Sequence, residues 1–226
     1  MSDPASPPRQ ARLGWAPLVV AVVVAVVLYV AGGAFVFSLP TPPELSGLTQ
    51  FALSAAVPTA AFLAAVLVHR RGLAAFGFRR VPAKWLLIAV GVGFAAVGAA
   101  TLIDAILASA FPGAVNVQSD YEAAAAGGLA VFLGVIALGG VIEPIGEELL
   151  FRGVLMSFLE RWGGWVAVTL SSAVFSVAHG VNLVTLDAFV VGVGCGMLLW
   201  VTRSIWPSFV VHIVYNTTML LLLALR

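Results

Sequence analysis

The sequence predicts an all-α fold, a polytopic transmembrane bundle of about seven helices, and three observations carry that expectation. Of 226 residues, 62% are hydrophobic and only 9% are charged, with a mean hydropathy of +1.10; a soluble domain carries about 25% charged residues. The apolar residues form runs close to the ~20 needed to cross a bilayer. Basic residues and tryptophans recur at alternate ends of those runs, as the positive-inside rule and interfacial aromatic belts require. A net charge of +1 without a basic stripe gives no footprint for a nucleic-acid partner. The lone cysteine, Cys195, rules out an intramolecular disulfide framework.

Residues 1–12, MSDPASPPRQAR, are rich in Pro and Ser and read as a disordered cytoplasmic N-terminus. Residues 13–226 read as one membrane domain. The first span is expected over 15–37, an apolar run too long for the h-region of a cleaved signal peptide. The second covers 48–68 with Pro58 inside it, and the third 85–110. The fourth, 128–159, is longer than one straight crossing and is interrupted by EPIGEE, where Pro144 and Gly146 are expected to bend it and widen a water-filled cavity. The fifth and sixth, 164–181 and 186–201, are short, and the seventh runs over 205–223. Arg9 and Arg12, the group Arg70, Arg71, Arg79, Arg80 and Lys84, then Arg161 and Arg203 occupy alternate connections, whereas Glu44, Asp120 and Glu122 occupy the others. The expected address is the plasma (inner) membrane with the N-terminus cytoplasmic; Arg226 then falls on the unfavoured side. Gly192 and Gly196 make a small-residue contact face.

Against this background a few polar residues stand out. An ionisable side chain in the bilayer costs about 2.5–3.5 kcal/mol on insertion scales, yet Glu143, Glu147, Glu148 and Arg152 crowd into the fourth apolar segment. His179 closes the fifth; His212 and Asn216 lie in the seventh. Glu148 and Arg152 are four apart and can pair on one helix face. Glu147, next to Glu148, points about 100° away and is free for other work. Counted along their helices from the arginine-bearing ends, the polar groups fall in one layer between mid-membrane and the cytoplasmic half. A carboxylate near an imidazole can act as a general base on water. A second imidazole and a carboxamide can donate to an oxyanion; two histidines and a glutamate can instead hold Zn²⁺ with an open water position. Neither G-x-S-x-G nor H-E-x-x-H occurs.

EELLFR, FSVAH and HIVYN read as E-E-x-x-x-R, F-x-x-x-H and H-x-x-x-N in order on separate helices. The set resembles the CPBP (Abi) family of intramembrane proteases, which includes the type II CAAX prenyl endopeptidases, over about residues 128–220. The resemblance implies an endopeptidase in which Glu147, assisted by His179, activates water in a membrane cavity open to the cytoplasmic side. It implies that His212 and Asn216 form the oxyanion site and that Glu148 with Arg152 is a structural ion pair. The implied partner is a peptide or protein substrate, possibly lipidated or membrane-bound. No cofactor is expected, because Asn216 is a poor Zn²⁺ ligand and a good donor; the zinc alternative would use Glu147, His179 and His212. The competing readings are a non-catalytic scaffold or immunity protein of the same fold, and a proton-coupled transporter, which would be expected to show paired repeats with broken helices in both halves. Glu143 is left without an assigned role. Asp104 reads as an interhelical contact, Asp187 as an interfacial residue, and Cys195, Ser176 and Tyr215 as packing.

Overall fold

Every apolar run is a helix in the computed structural model, which describes residues 13–70, 72–112 and 117–225. The helices are α1 (Trp15–Ser38), α2 (Pro43–His69), α3 (Ala83–Ala110), a short α4 (Ser119–Ala126), α5 (Leu129–Trp162), α6 (Gly164–Ala178), α7 (Val184–Thr202) and α8 (Trp206–Ala224). Six of them are long and apolar enough to cross a membrane. The fifth of the seven expected crossings falls short: α6 has 15 residues, or ~22 Å of helix, against a hydrocarbon core of ~30 Å. It stops at His179 because Gly180 turns at φ 85° and Asn182 caps the turn, donating to the His179 carbonyl at 2.8 Å. The expected disorder of residues 1–12 and the position of Arg226 lie outside the described residues.

Small residues decide which helix faces meet. Helix α1 buries only Pro17, Ala21 and Ala25, a stripe repeating every four residues, and packs on α2 while its valines stay exposed. In lipid such exposure costs nothing, and close van der Waals packing of small side chains drives association. On α3, a Cβ at Gly93 would stand 2.8 Å from Val214 and 3.0 Å from the Val211 carbonyl of α8, so those helices touch through bare backbone. Gly192 and Gly196 form a stripe on α7 facing α5 and α6. The unpredicted α4 lies on α2, where Asp120 accepts from Ser46 Oγ at 2.7 Å and Gln50 Nε2 at 2.8 Å.

The basic connections gather at one end of the bundle. The Ile205 N–H donates to Gly77 O at 2.9 Å, and Ser204 Oγ to Arg79 O at 2.8 Å. Arg203 pairs with Glu160 at 2.7 Å, and the Arg161 guanidinium donates to the Leu13 carbonyl. Arg161 also sits over the ring of Phe158 at 3.8 Å, in a cluster with Trp15 and Trp162. Aromatic rings and arginines thus share the end where an interfacial belt is expected.

Candidate active site

The site is built on α5, which carries Glu143 and both motif glutamates, Glu147 and Glu148. The helix is continuous through EPIGEE, where the bend is expected, and wide π turns over Ile136–Ile142 and Leu149–Met156 flank it. The cause is local. The Glu143 N–H bonds back to Leu138 O, one residue further than an α-helix would take it. Pro144 has no N–H to offer. The carbonyls of Gly139 and Gly140 therefore lose their usual donors, and α8 supplies replacements: Asn216 Nδ2 donates to Gly139 O at 3.0 Å, and Thr217 Oγ1 to Gly140 O at 3.2 Å. Gly146 works by size rather than by bending, since a Cβ there would lie 2.6 Å from Ala55 O of α2. Such π segments are frequent at functional sites.

On one side of α5 lies a closed polar core. Arg152 Nη1 is 3.1 Å from Glu148 Oε1, and both side chains are fully buried. The guanidinium lies 4.6 Å from the centre of the Phe175 ring, in room left by Gly192, whose Cβ would stand 3.0 Å from Nη2. Glu148 Oε1 is also 2.8 Å from His212 Nδ1. A carboxylate accepts, so Nδ1 carries the hydrogen, and Glu148 fixes the imidazole as well as the arginine. Cys195 belongs to this core too. It is buried, with Sγ donating to Ser208 O at 3.6 Å, and ligand atoms of Glu148, Cys195 and His212 lie within 4.8 Å of one another.

On the other side Glu147 faces two imidazoles. Its Oε2 is 3.6 Å from His212 Nε2 and its Oε1 is 3.7 Å from His179 Nε2. His179 Nδ1 lies 2.9 Å from the Phe175 carbonyl; since that oxygen only accepts, Nδ1 bears the hydrogen here as well. In neutral form both rings therefore turn an unprotonated Nε2 towards Glu147. Acceptors converge there from three elements, a set that a donor with two hydrogens, such as water, would satisfy.

Glu147, His179, His212 and Asn216 all line one cavity of about 210 Å³. Asn216 is at the rim of the group with one of its two amide hydrogens already given to Gly139. A second, larger cavity of about 850 Å³ meets the first at Glu143, Glu147 and His179 and runs between α1 and α6, walled by apolar residues such as Leu18, Val22, Val26 and Val174. The smaller cavity was expected to open at the arginine-bearing end, yet its lining includes Asp104, Gln118, Val184 and Leu223, from the opposite ends of their helices. Asp187 differs from expectation: it is 5% exposed and faces the same cavity, as does Tyr215. Ser176 stays packing, its hydroxyl on Ala173 O.

Three contributions were not read from sequence. Ser54 of α2 comes within hydrogen-bond reach of both Glu143 and Glu147, and Tyr29 and Tyr121 line the larger cavity beside them. The available signal was a serine four residues before Pro58 in an otherwise apolar run. The third is Glu148 as the support of His212, which sits 64 residues away in the chain.

Fold and site together define a multi-pass helical membrane protein with a carboxylate–imidazole centre inside the bundle. Residues 129–218, from α5 to most of α8 and less than half of the chain, match the family described as type II CAAX prenyl endopeptidase Rce1-like. That family supports proteolysis as the general chemistry. No curated protein and no solved structure matches the chain.

Proposed function

We propose that this protein is an intramembrane endopeptidase in which Glu147 activates a water for attack on a peptide carbonyl. The observation that carries the reading is the pair of 3.6 and 3.7 Å approaches of His212 and His179 to the two oxygens of one buried carboxylate. Glu147 takes the proton of the attacking water, and His179, exposed enough to meet substrate, relays it towards the leaving amine. A general base of this kind contributes roughly 10²–10⁴ in rate. His212 faces the developing oxyanion with Nε2, and Glu148 holds the ring through its Nδ1–H. The second amide hydrogen of Asn216 completes the oxyanion site. Glu148 with Arg152 holds the helix. The substrate is a peptide or a membrane-bound or lipidated protein, whose apolar part occupies the larger cavity.

The arginine-bearing end and its tryptophans support a cytoplasmic N-terminus in the plasma membrane. With that orientation the lining of the smaller cavity supports a mouth on the outer half rather than the cytoplasmic one.

The test is cleavage of membrane peptides by the full-length protein in lipid nanodiscs. Glu147→Gln is expected to lose at least 10²-fold in rate while inserting and folding normally; residual proteolysis near the wild-type level would remove Glu147 as the base.

One observation favours a second reading. Two imidazoles with anchored Nδ1 hydrogens and Nε2 atoms 3.6 and 3.7 Å from one carboxylate are ligand types that Zn²⁺ takes, although among the described residues the ligand atoms that come within 4.8 Å of one another are those of Glu148, Cys195 and His212. Glu147, His179 and His212 would hold the ion, which would supply an acidified water. On the glutamate reading, chelators leave the rate unchanged; inhibition by chelator that added Zn²⁺ reverses would transfer the mechanism to the metal.

A further inference from the structure

The smaller cavity continues past Glu147 to a second acidic group that the proposed chemistry does not use. Asp104 of α3 and Asp187 of α7 meet there within hydrogen-bond reach of each other, beside Tyr215 of α8. Asp187 is 5% exposed, and its Oδ1 is buried without a hydrogen-bond partner. Glu143 and Glu147 line the same space, so four carboxyl groups face one cavity, and no lysine or arginine lines it. Arg152 is turned away, paired with Glu148 in the closed core.

Whether two touching carboxyl groups hold one proton or two, their four oxygens keep acceptor lone pairs unfilled. Buried acceptors without donors are costly, and a buried charge needs a partner. A purely structural contact between α3 and α7 would be served by apolar or amide side chains. A guanidinium brings five donors in a fixed fork and an ammonium brings three, and neither accepts. Either would satisfy the orphaned oxygen and both carboxyl groups at once, in a setting where charge-assisted bonds are stronger than in water.

We propose that Asp104 and Asp187 form a specificity subsite that holds a lysine or arginine side chain of the substrate peptide. This rests on the endopeptidase reading, which makes the ligand a peptide. The smaller cavity then selects a basic residue near the cut and the larger one accepts the neighbouring apolar stretch, with Glu147 at their junction.

The experiment uses full-length protein in nanodiscs and twin 20-residue apolar peptides, one with a single central arginine and one with citrulline, its neutral isostere. Binding is measured to the Glu147→Gln variant. The arginine peptide is expected to bind about tenfold tighter or more, the scale of a hydrogen-bonded charge pair. Adding Asp187→Asn is expected to bring it down to the citrulline level and leave citrulline binding unchanged, which also reports intact folding. Asp104→Asn, on another helix, is the second variant. Equal binding of the twins overturns the subsite; so does an arginine preference that survives in either variant still holding the citrulline peptide. Cleavage by the unsubstituted protein separates the two ideas. A charge preference in binding without any cleavage leaves the subsite and removes the endopeptidase, while cleavage without charge preference does the reverse.

Discussion

Glu147 and Glu148 are neighbours in sequence, yet they sit in opposite environments. Glu148 is sealed: Arg152 and His212 Nδ1 share one of its oxygens, and nothing of its side chain is exposed. Glu147 borders two cavities and faces imidazoles at 3.6 and 3.7 Å, beyond hydrogen-bond distance. One residue of helix, about 100°, separates a carboxylate locked in the core by Arg152 and His212 from one that borders open space. The difference teaches that the same side chain, one step apart, is either a strut or a reagent according to whether it is sealed against its neighbours or open to a cavity. His212 belongs to both regions, with Nδ1 in the sealed core and Nε2 in the cavity.

The comparison can be broken most directly by exchanging function for stability. Glu147→Gln is expected to cost the full 10²–10⁴ of general-base catalysis with unchanged thermal stability in detergent. Arg152→Met should do the opposite. It leaves Glu148 buried without its cation, a loss of about 3–5 kcal/mol, read as a fall in folded yield and in Tm. A folded but inactive Arg152→Met protein would place Arg152 in the chemistry and end the distinction.

Asn216→Ala tests the border between the regions. It removes the donor to Gly139 O and the second amide hydrogen together. The rate is expected to fall by about 2.7–4 kcal/mol in barrier terms if the amide serves an oxyanion, and stability by about 1–3 kcal/mol for the orphaned carbonyl. A stability loss with kcat intact would make Asn216 a helix support only. The smallest effect is expected from Gly146→Ala. Its new methyl would press on Ala55 O, costing about 1–3 kcal/mol of overpacking. Because α5 would shift against α2, KM and kcat should worsen together; a neutral variant would mean the π turns absorb the shift.

How much of this was legible beforehand differs from residue to residue. The Glu148–Arg152 pair was legible, since four-residue spacing on a helix forces proximity. The membrane helices were legible from length and apolarity. The 15-residue length of α6 was not, because Gly180 and Asn182 end it inside a run whose hydropathy continues to Val181. The donors that replace those lost around Pro144 were not legible, because Asn216 and Thr217 come from 77 residues away to cap the freed carbonyls. Cys195 beside His212, Ser54 beside Glu147 and Asp187 beside Asp104 left no local signature at all.

By itself the sequence determined that the chain is a membrane bundle and which polar residues are too expensive to be idle there, because hydropathy, helical period and charge asymmetry act within single segments. Only the tertiary structure decided which of those residues meet, which oxygen each imidazole faces, and towards which end the cavity runs. Those depend on the packing of helices far apart in the chain, and small residues such as Gly93, Gly146 and Gly192 set that packing without announcing their neighbours.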